Sequence, residues 1–443
     1  MGRTQAKDHH AAGPLLVARP VPVSAPAGRG RDTPDEDPDV PYDSEHALLP
    51  PGIGAASAVD RDVSGTVGRV LDHVLAGRVA RARAVDPLFG DDLAARVAHF
   101  TRAGGKRTRS RFVWWAMRAC GGAAPVAAAL RIGAALELLQ TCALVHDDVM
   151  DGSALRRARP ALHADVAAQY RGAAPPGRAE RLGGGAAILA GDLALVWADD
   201  LLAETPLPGD GARAVRRLWS DMRTEMVAGQ YLDLHGQATG ARSLPRALRA
   251  ACLKSALYSV ERPIALGAAL AGADDGTTAA LCSAGRCVGM AFQLRDDLDD
   301  AFGDPRHTGK PAGGDIREGK PTYLVALAHA RAGAAGDRGA LDVLNRLLGH
   351  RSLTAADLDE VREVLTSTGA RDTVEAKIGR LVAQGLRHVD GVLLDPHGGE
   401  ALRLLLASAA GGRPPGDAGP RGTRAGAALP VPPAAGGVEE AGR

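Results

Sequence analysis

Aromatic side chains are scarce in this chain of 443 residues: Phe, Tyr and Trp together make up 3%. A core built with so few rings is lined chiefly by Ala, Leu and Val. Excess charge is missing too. The formal net charge is +1, so nothing points to nucleic acid as a partner. The five cysteines (Cys120, Cys142, Cys252, Cys282 and Cys287) are odd in number, scattered, and mostly set in helical apolar patterns. That argues against a disulfide framework or a zinc site and for reduced core thiols in a cytoplasmic protein. The N-terminus lacks an apolar signal core, and no uncharged stretch is long enough to cross a bilayer. The best candidate, Ala123 to Val145, contains Arg131 and Glu137, so a soluble chain without a membrane span is expected. A repeat of fixed period is absent, which excludes a solenoid.

Alternating β-branched runs are missing as well. Instead, apolar residues recur at three- and four-residue spacing from Val59 to Ala80, Ala94 to His99, Arg111 to Ala119, Val126 to Val149 and Ala186 to Ala203. The pattern continues over Ala214 to Leu234, Leu244 to Ala271 and Thr277 to Phe302. It then covers Thr322 to Ala332, Ala340 to Leu348, Ala355 to Ser367, Thr373 to Leu394 and Glu400 to Ala409. This periodicity predicts helices, separated by breakers such as Gly121-Gly122, Pro175-Pro176-Gly177 and Pro311 to Gly314. The fold class is therefore all-α, a single large bundle over residues 59–410 with its most apolar helices central. Residues 1–58 and 411–443 are rich in Pro, Gly, Ala and scattered charge without periodicity, and read as disordered tails.

Two acidic blocks stand out: Asp147-Asp148-Val149-Met150-Asp151 and Asp296-Asp297-Leu298-Asp299-Asp300. Each ends a long apolar run. On a helix, carboxylates at i and i+4 leave the same face, with the middle aspartate beside them. Such clustered charge is expensive to bury, and a hard divalent cation with oxygen ligands is the usual remedy. Magnesium in particular is commonly held by one or two carboxylates together with substrate phosphates. One block alone could be a solvated acidic patch; two, in these surroundings, imply a diphosphate held between metal and protein.

Cations supply the other side. Gly104-Gly105-Lys106-Arg107-Thr108-Arg109 places three of them at a glycine turn that opens a helix, a ready anion site. Arg156 and Arg157 follow one helical turn beyond Asp151, and guanidinium groups bind phosphate in bidentate fashion. Lys254, Lys310 and Lys320 come later, the last two in Gly-Lys-Pro contexts on an expected flexible loop. An ammonium on such a loop could close over a bound phosphate.

With these elements in order, the chain resembles the trans-prenyl diphosphate synthases of the polyprenyl synthetase family, nearest to actinobacterial geranylgeranyl diphosphate synthases. The resemblance spans roughly residues 60–400. It is carried by Gly104 to Arg109, by Gln140 ahead of Leu144-Val145-His146-Asp147-Asp148-Val149-Met150-Asp151, and by the Arg156-Arg157 pair. Gly229-Gln230-x-x-Asp233, Lys254-Ser255, Phe292-Gln293-x-x-Asp296-Asp297-x-x-Asp300, Gly309-Lys310 and Gly319-Lys320 complete it. It implies an isoprenoid-synthase bundle around a deep cavity, magnesium as cofactor, and isopentenyl diphosphate with an allylic diphosphate (dimethylallyl, geranyl or farnesyl) as substrates. It also implies a homodimer.

The roles it implies are specific. Asp147, Asp151 and Asp296 would bind magnesium, supported by Asp148, Asp297 and Asp300. Arg156, Lys254, Lys310 and Lys320 would hold or close over the allylic diphosphate. Lys106, Arg109 and Arg157 would hold that of isopentenyl diphosphate, with His146 and Gln140 nearby. Ser255, the Lys254 carbonyl and Gln293 would stabilise the allylic cation, and Gln230 and Asp233 would hydrogen-bond Lys254. Two departures occur: Ala158 replaces the usual Gly after the arginine pair, and Ser255 the usual Thr. Leu139, Cys142 and Ala143 would line the tunnel one turn above the first block. Farnesyl-forming relatives tend to carry bulky aromatics at the last two of these positions, so the small residues here imply a deeper tunnel and a C20 product. Farnesyl or longer polyprenyl products are the alternatives. A class I terpene cyclase should lack the Gly-Gly-Lys-x-x-Arg element, and a non-catalytic partner subunit should have lost aspartates.

Overall fold

The structure, a computed structural model, describes residues 49–411 except 51–54, 122–124, 174, 176, 208, 210 and 304–311. Most of both expected tails, and Lys310, therefore lie outside the described residues. The bundle opens with α1 (Ala56–Arg61) and α2 (Val63–Val85), then a π-wound turn (Phe89–Ala94) that runs into α3 (Ala95–Arg102). Next come α4 (Thr108–Ala119), α5 (Val126–Asp151), α6 (Leu162–Tyr170), α7 (Arg178–Ala203), α8 (Gly211–Thr239) and α9 (Leu244–Ala251). A π-wound segment, Cys252–Glu261, joins α9 to α10 (Arg262–Ala271), and α11 (Asp275–Phe302) follows. The chain continues through α12 (Gly314–Glu318), α13 (Tyr323–Ala335), α14 (Arg338–Leu347), α15 (Ala355–Ser367), α16 (Ala370–Asp390) and α17 (Pro396–Ala409). The only strands among the described residues are the two-residue pair Leu155–Arg156 and Arg159–Pro160, antiparallel in a small hairpin.

Two apolar clusters hold the bundle. The larger gathers α2, α4, α5, α7, α8, α10 and the first half of α11 around Leu71, Trp114, Leu136, Leu201 and Trp219. The smaller collects the second half of α11 (Ala291, Leu294, Leu298) with α12 to α16, through Ile316, Leu324, Leu344 and Val361. Helix α11 belongs to both, so the second acidic block lies where it is gripped from the C-terminal side. Helix α5 is buried without interruption from Ala127 to Leu139. It passes for a membrane span by length and composition, yet 83% of its apolar window is buried in protein, which makes it a core helix. Its two inner charges are paired: Arg131 Nε donates to Thr205 Oγ1 at 3.0 Å, and Glu137 accepts from Ser110 Oγ at 2.8 Å.

Several expected boundaries shift. Helix α1 starts at Ala56, inside the stretch read as tail. Helix α7 starts at Arg178 rather than Ala186, its glycines allowing α6 close: a Cβ on Gly183 would lie 2.2 Å from the His163 carbonyl oxygen. The long apolar pattern from Leu244 to Ala271 is π-wound in its middle, a distortion common beside functional sites. Glycines seat that segment. A Cβ on Gly229 of α8 would come within 2.3 Å of the Lys254 nitrogen, and one on Gly289 of α11 within 2.5 Å of the Ala256 oxygen.

Candidate active site

Helix α5 ends at Asp151 because Gly152 takes the left-handed conformation (φ 64°) that favours glycine. The helix does not carry on to the arginine pair, as the spacing alone implied. The chain turns back through the hairpin, and Arg156 reaches the block from there. Its Nε donates to Asp148 Oδ1 at 2.7 Å, with a second bond from Nη2 to the same oxygen, and Nη2 lies 3.3 Å from Asp147 Oδ2. Lys254 Nζ is 3.2 Å from Asp147 Oδ1 and 2.7 Å from Asp233 Oδ2. Gln230 was expected beside Lys254; its Nε2 donates instead to Asp147 Oδ1 at 3.1 Å. Lys320 closes the far end, 2.9 Å from Asp151, 2.7 Å from Glu318 and 3.4 Å from Asp315. This lysine is held in an ion cluster rather than carried on an open loop.

The charges explain one another. Burial pushes the Asp147 carboxyl up, but Lys254, Lys320 and Arg156 together hold it below the usual carboxylate range. Asp148, almost fully buried, is raised by burial in spite of Arg156. Burial alone would lower Lys254 and Lys320; their carboxylate neighbours raise both.

At the end of α11 the surroundings differ. Asp297 is buried, and Gln293 Nε2 donates to its Oδ1 at 2.7 Å. Its pKa is driven well up, first by burial and then by the charge of Asp315, with Asp296 and Asp233 adding to it. Asp300 accepts the Asp315 backbone N–H at 2.9 Å, and its carbonyl accepts that of Gly313 at 2.7 Å, so this block also anchors α12.

The basic turn forms a third group. Arg107 caps α4 in the left-handed region (φ 48°), and Arg157 and Ala158 share that region (φ 53° and 59°). The left-handed backbone at Ala158 costs about 1 kcal/mol. Arg157 Nη1 donates to the Ala103 carbonyl at 3.0 Å. Burial lowers the Arg157 pKa; Glu137 opposes the fall, and Arg156, Arg109 and Arg107 deepen it. Four guanidinium groups therefore share one neighbourhood. Within it, Arg107 Nη1 and Arg109 Nε are buried without a hydrogen-bond partner, as is Gln140 Oε1 on α5. Lys106 is exposed at the rim.

Not every expected residue joins these groups. His146 turns to α7, its Nε2 3.0 Å from the Ile188 carbonyl oxygen and 3.6 Å from Asp192, over Gly191, where a Cβ would clash. Leu139 and Cys142 are buried in the α5 core, and the Cys142 thiol is pushed up to about 12 by burial and the nearby Asp192 and Asp199. Sequence reasoning missed Asp315 and Glu318, which follow a Pro-Gly breaker. It also missed Arg351, whose Nη2 donates to the Asp151 carbonyl at 3.0 Å. No spacing signal marks Arg351.

The donor set suits a hard cation. Asp148 Oδ2 and Asp151 Oδ1 are buried oxygens without partners, and the acidic blocks offer oxygen ligands alone. Among the described residues no three acidic, His or Cys side chains close around a common point; Arg156, Lys254 and Lys320 stand among the first-block carboxylates.

An all-helical bundle in which two carboxylate blocks share a centre with Lys254 and Lys320, beside a cluster of arginines, defines an enzyme that handles diphosphates. The Polyprenyl synthetase family model matches residues 91–365, and the chain belongs to that family. It is a trans-prenyltransferase. The chain is 30% identical to the geranylfarnesyl diphosphate synthase of Aeropyrum pernix over 71% of its own length and 93% of that protein's. Against the geranylgeranyl diphosphate synthase of Mycobacterium tuberculosis the identity is 35%, over 60% and 69% of the two chains. The crystal structure of a geranylgeranyl pyrophosphate synthase from Corynebacterium glutamicum, complexed with isoprenyl diphosphate and magnesium, superposes with a TM-score of 0.73. It shares 36% identity and covers 78% of this chain and 99% of that one.

Proposed function

We propose that the protein is a geranylgeranyl diphosphate synthase, condensing isopentenyl diphosphate head-to-tail with dimethylallyl, geranyl or farnesyl diphosphate. The observation that carries the C20 reading is the pair of small residues, Cys142 and Ala143, one turn above Asp147 on α5. Neither can floor a tunnel at the length of a farnesyl chain.

Asp147, Asp148, Asp151, Asp296, Asp297 and Asp300 would hold magnesium. When bound, the metal supplies positive charge to the diphosphate leaving group. Lys254 and Arg156 are already fixed beside Asp147, so they would meet that diphosphate without reorganisation. Lys310 and Lys320 would complete its cation set, with Lys320 also closing the site against water. Lys106, Arg109 and Arg157 would bind the second diphosphate, with Gln140 beside them. His146 supports that site indirectly by fixing α5 against α7. The Lys254 carbonyl, Ser255 and Gln293 would face the allylic cation with their dipoles. The double bond of isopentenyl diphosphate attacks that cation, and the proton then lost passes to the departing pyrophosphate.

A cytoplasmic homodimer fits this reading. Ile188, Leu189 and Val196 on α7 and Val227 and Tyr231 on α8 are large apolar residues at 49% exposure or more, a face suited to a second copy.

Purified protein with magnesium, labelled isopentenyl diphosphate and each allylic primer tests the product. A dominant C20 alcohol after dephosphorylation is expected. A product that stops at C15, or runs well past C20, overturns the tunnel argument.

A further inference from the structure

We propose that Tyr258 and Ser259 are positioning residues that hold Arg109 for the diphosphate of the homoallylic substrate. The inference rests on the role given to Arg109 above and extends it to two residues that follow the Lys254-Ser255 pair. Arg109 lies in the first turn of α4, on a side chain long enough to adopt many rotamers. Two consecutive residues of the π-wound segment remove that freedom. Ser259 Oγ accepts a hydrogen bond from Arg109 Nη2 at 2.7 Å, and the guanidinium carbon sits 4.3 Å from the centre of the Tyr258 ring. A guanidinium stacked on a desolvated ring and bonded at one nitrogen is fixed in plane and in rotation. Its Nε remains buried without a partner, so donor capacity is left over for a ligand.

The platform is itself rigid. Tyr258 is 3% exposed and Ser259 6%, and α11 packs on their segment through Gly285 and Gly289, where side chains would clash with backbone. The Tyr258 hydroxyl is also buried without a partner. An orphaned buried hydroxyl is unfavourable in the folded protein, and here it lies on the segment that carries Lys254 and Ser255. One stretch of π-wound helix thus places cations for both diphosphates: Lys254 directly, Arg109 through Tyr258 and Ser259. The π-winding fixes the spacing between the two sites.

Steady-state kinetics on the full chain with magnesium test this, each substrate varied in turn. Ser259→Ala and Tyr258→Ala should each raise KM for isopentenyl diphosphate about tenfold, leaving KM for the allylic substrate and kcat within twofold. Ser259→Thr, which keeps the hydroxyl, and Tyr258→Phe, which keeps the ring, should restore the wild-type value. Combining Ser259→Ala with Arg109→Lys should raise KM no further than Arg109→Lys alone. Unchanged KM for isopentenyl diphosphate in both alanine variants, or equal rises for the two substrates, would overturn the proposal. If Arg109→Lys itself leaves that KM unchanged, the role of Arg109 fails first, and the positioning argument falls with it. Thermal melts of Ser259→Ala, which removes a single oxygen, separate a folding defect from a binding one.

Discussion

At the end of α5, Asp147, Asp148 and Asp151 each meet a cation brought from another part of the chain: Lys254, Arg156 and Lys320. At the end of α11, Asp297 meets the amide of Gln293, and the charges that act on it most are carboxylates. The two blocks have the same spacing in sequence, yet Asp147 and Asp297 lie in opposite electrostatic surroundings. Compensation at α5 comes from outside the helix, from a hairpin, a π-wound segment and the turn after α12. Asp297 sits beside the smaller core, where the charge that acts on it most, Asp315, has its own sign. Asp297, buried among carboxylates, is the group whose ionised form gains most from external positive charge.

The largest effect that tests this division is catalytic. Asp147→Ala or Asp296→Ala should each lower kcat/KM about 10³-fold in steady-state assays at saturating magnesium. The double variant should lose little more than either single one, because groups that act as a unit are strongly non-additive. A block whose removal changes the rate less than tenfold would not belong to a shared centre.

Next in size is Lys320→Met, which leaves Asp151, Asp315 and Glu318 without their common ammonium. Removing one partner of a buried ion cluster costs about 3 kcal/mol. A urea titration in chelator should show the loss as a lower midpoint, and magnesium with pyrophosphate should recover part of it. No change in midpoint would mean that the ion cluster around Lys320 contributes nothing to the fold.

Much of this was legible in the chain. The 3.6-residue apolar periodicity located most of the helices, and α15, Ala355–Ser367, has the expected bounds. Both acidic blocks and the Gly104–Arg109 turn lie at helix ends, as their flanking apolar runs implied. What escaped has physical reasons. Periodicity does not distinguish π from α winding within one apolar run, so Cys252–Glu261 read as ordinary helix. The pattern that became α7 was read from Ala186, whereas the helix begins at Arg178, and Gly183 lets α6 approach it. Asp315 and Glu318 followed Pro311 to Gly314 and read as a loop. Above all, spacing does not say which cation meets which carboxylate. Arg156 finds Asp148 only because Gly152 reverses the chain, and Gln230 passes Lys254 to reach Asp147.

The smallest effect sharpens the comparison from the strained side. Because Asp297 has its pKa raised in the fold, the protonated form is the one the folded state favours. Its contribution to stability is full below the unfolded carboxylate pKa and is lost as pH rises through the folded value. Asp297→Asn removes that ionisation while keeping an oxygen for Gln293. In chelator at pH 7 the variant should therefore melt higher than the wild type, by about a degree or two, and the difference should vanish near pH 4, where Asp297 carries its proton anyway. Activity should fall in the same variant, since the strained carboxylate is part of the centre. The corresponding Asp147→Asn change should move stability the other way, because its neighbours Lys254, Lys320 and Arg156 favour the ionised form. Should both asparagine variants shift the melt in the same direction, Asp147 and Asp297 would be electrostatically alike, and the contrast drawn between them would fail.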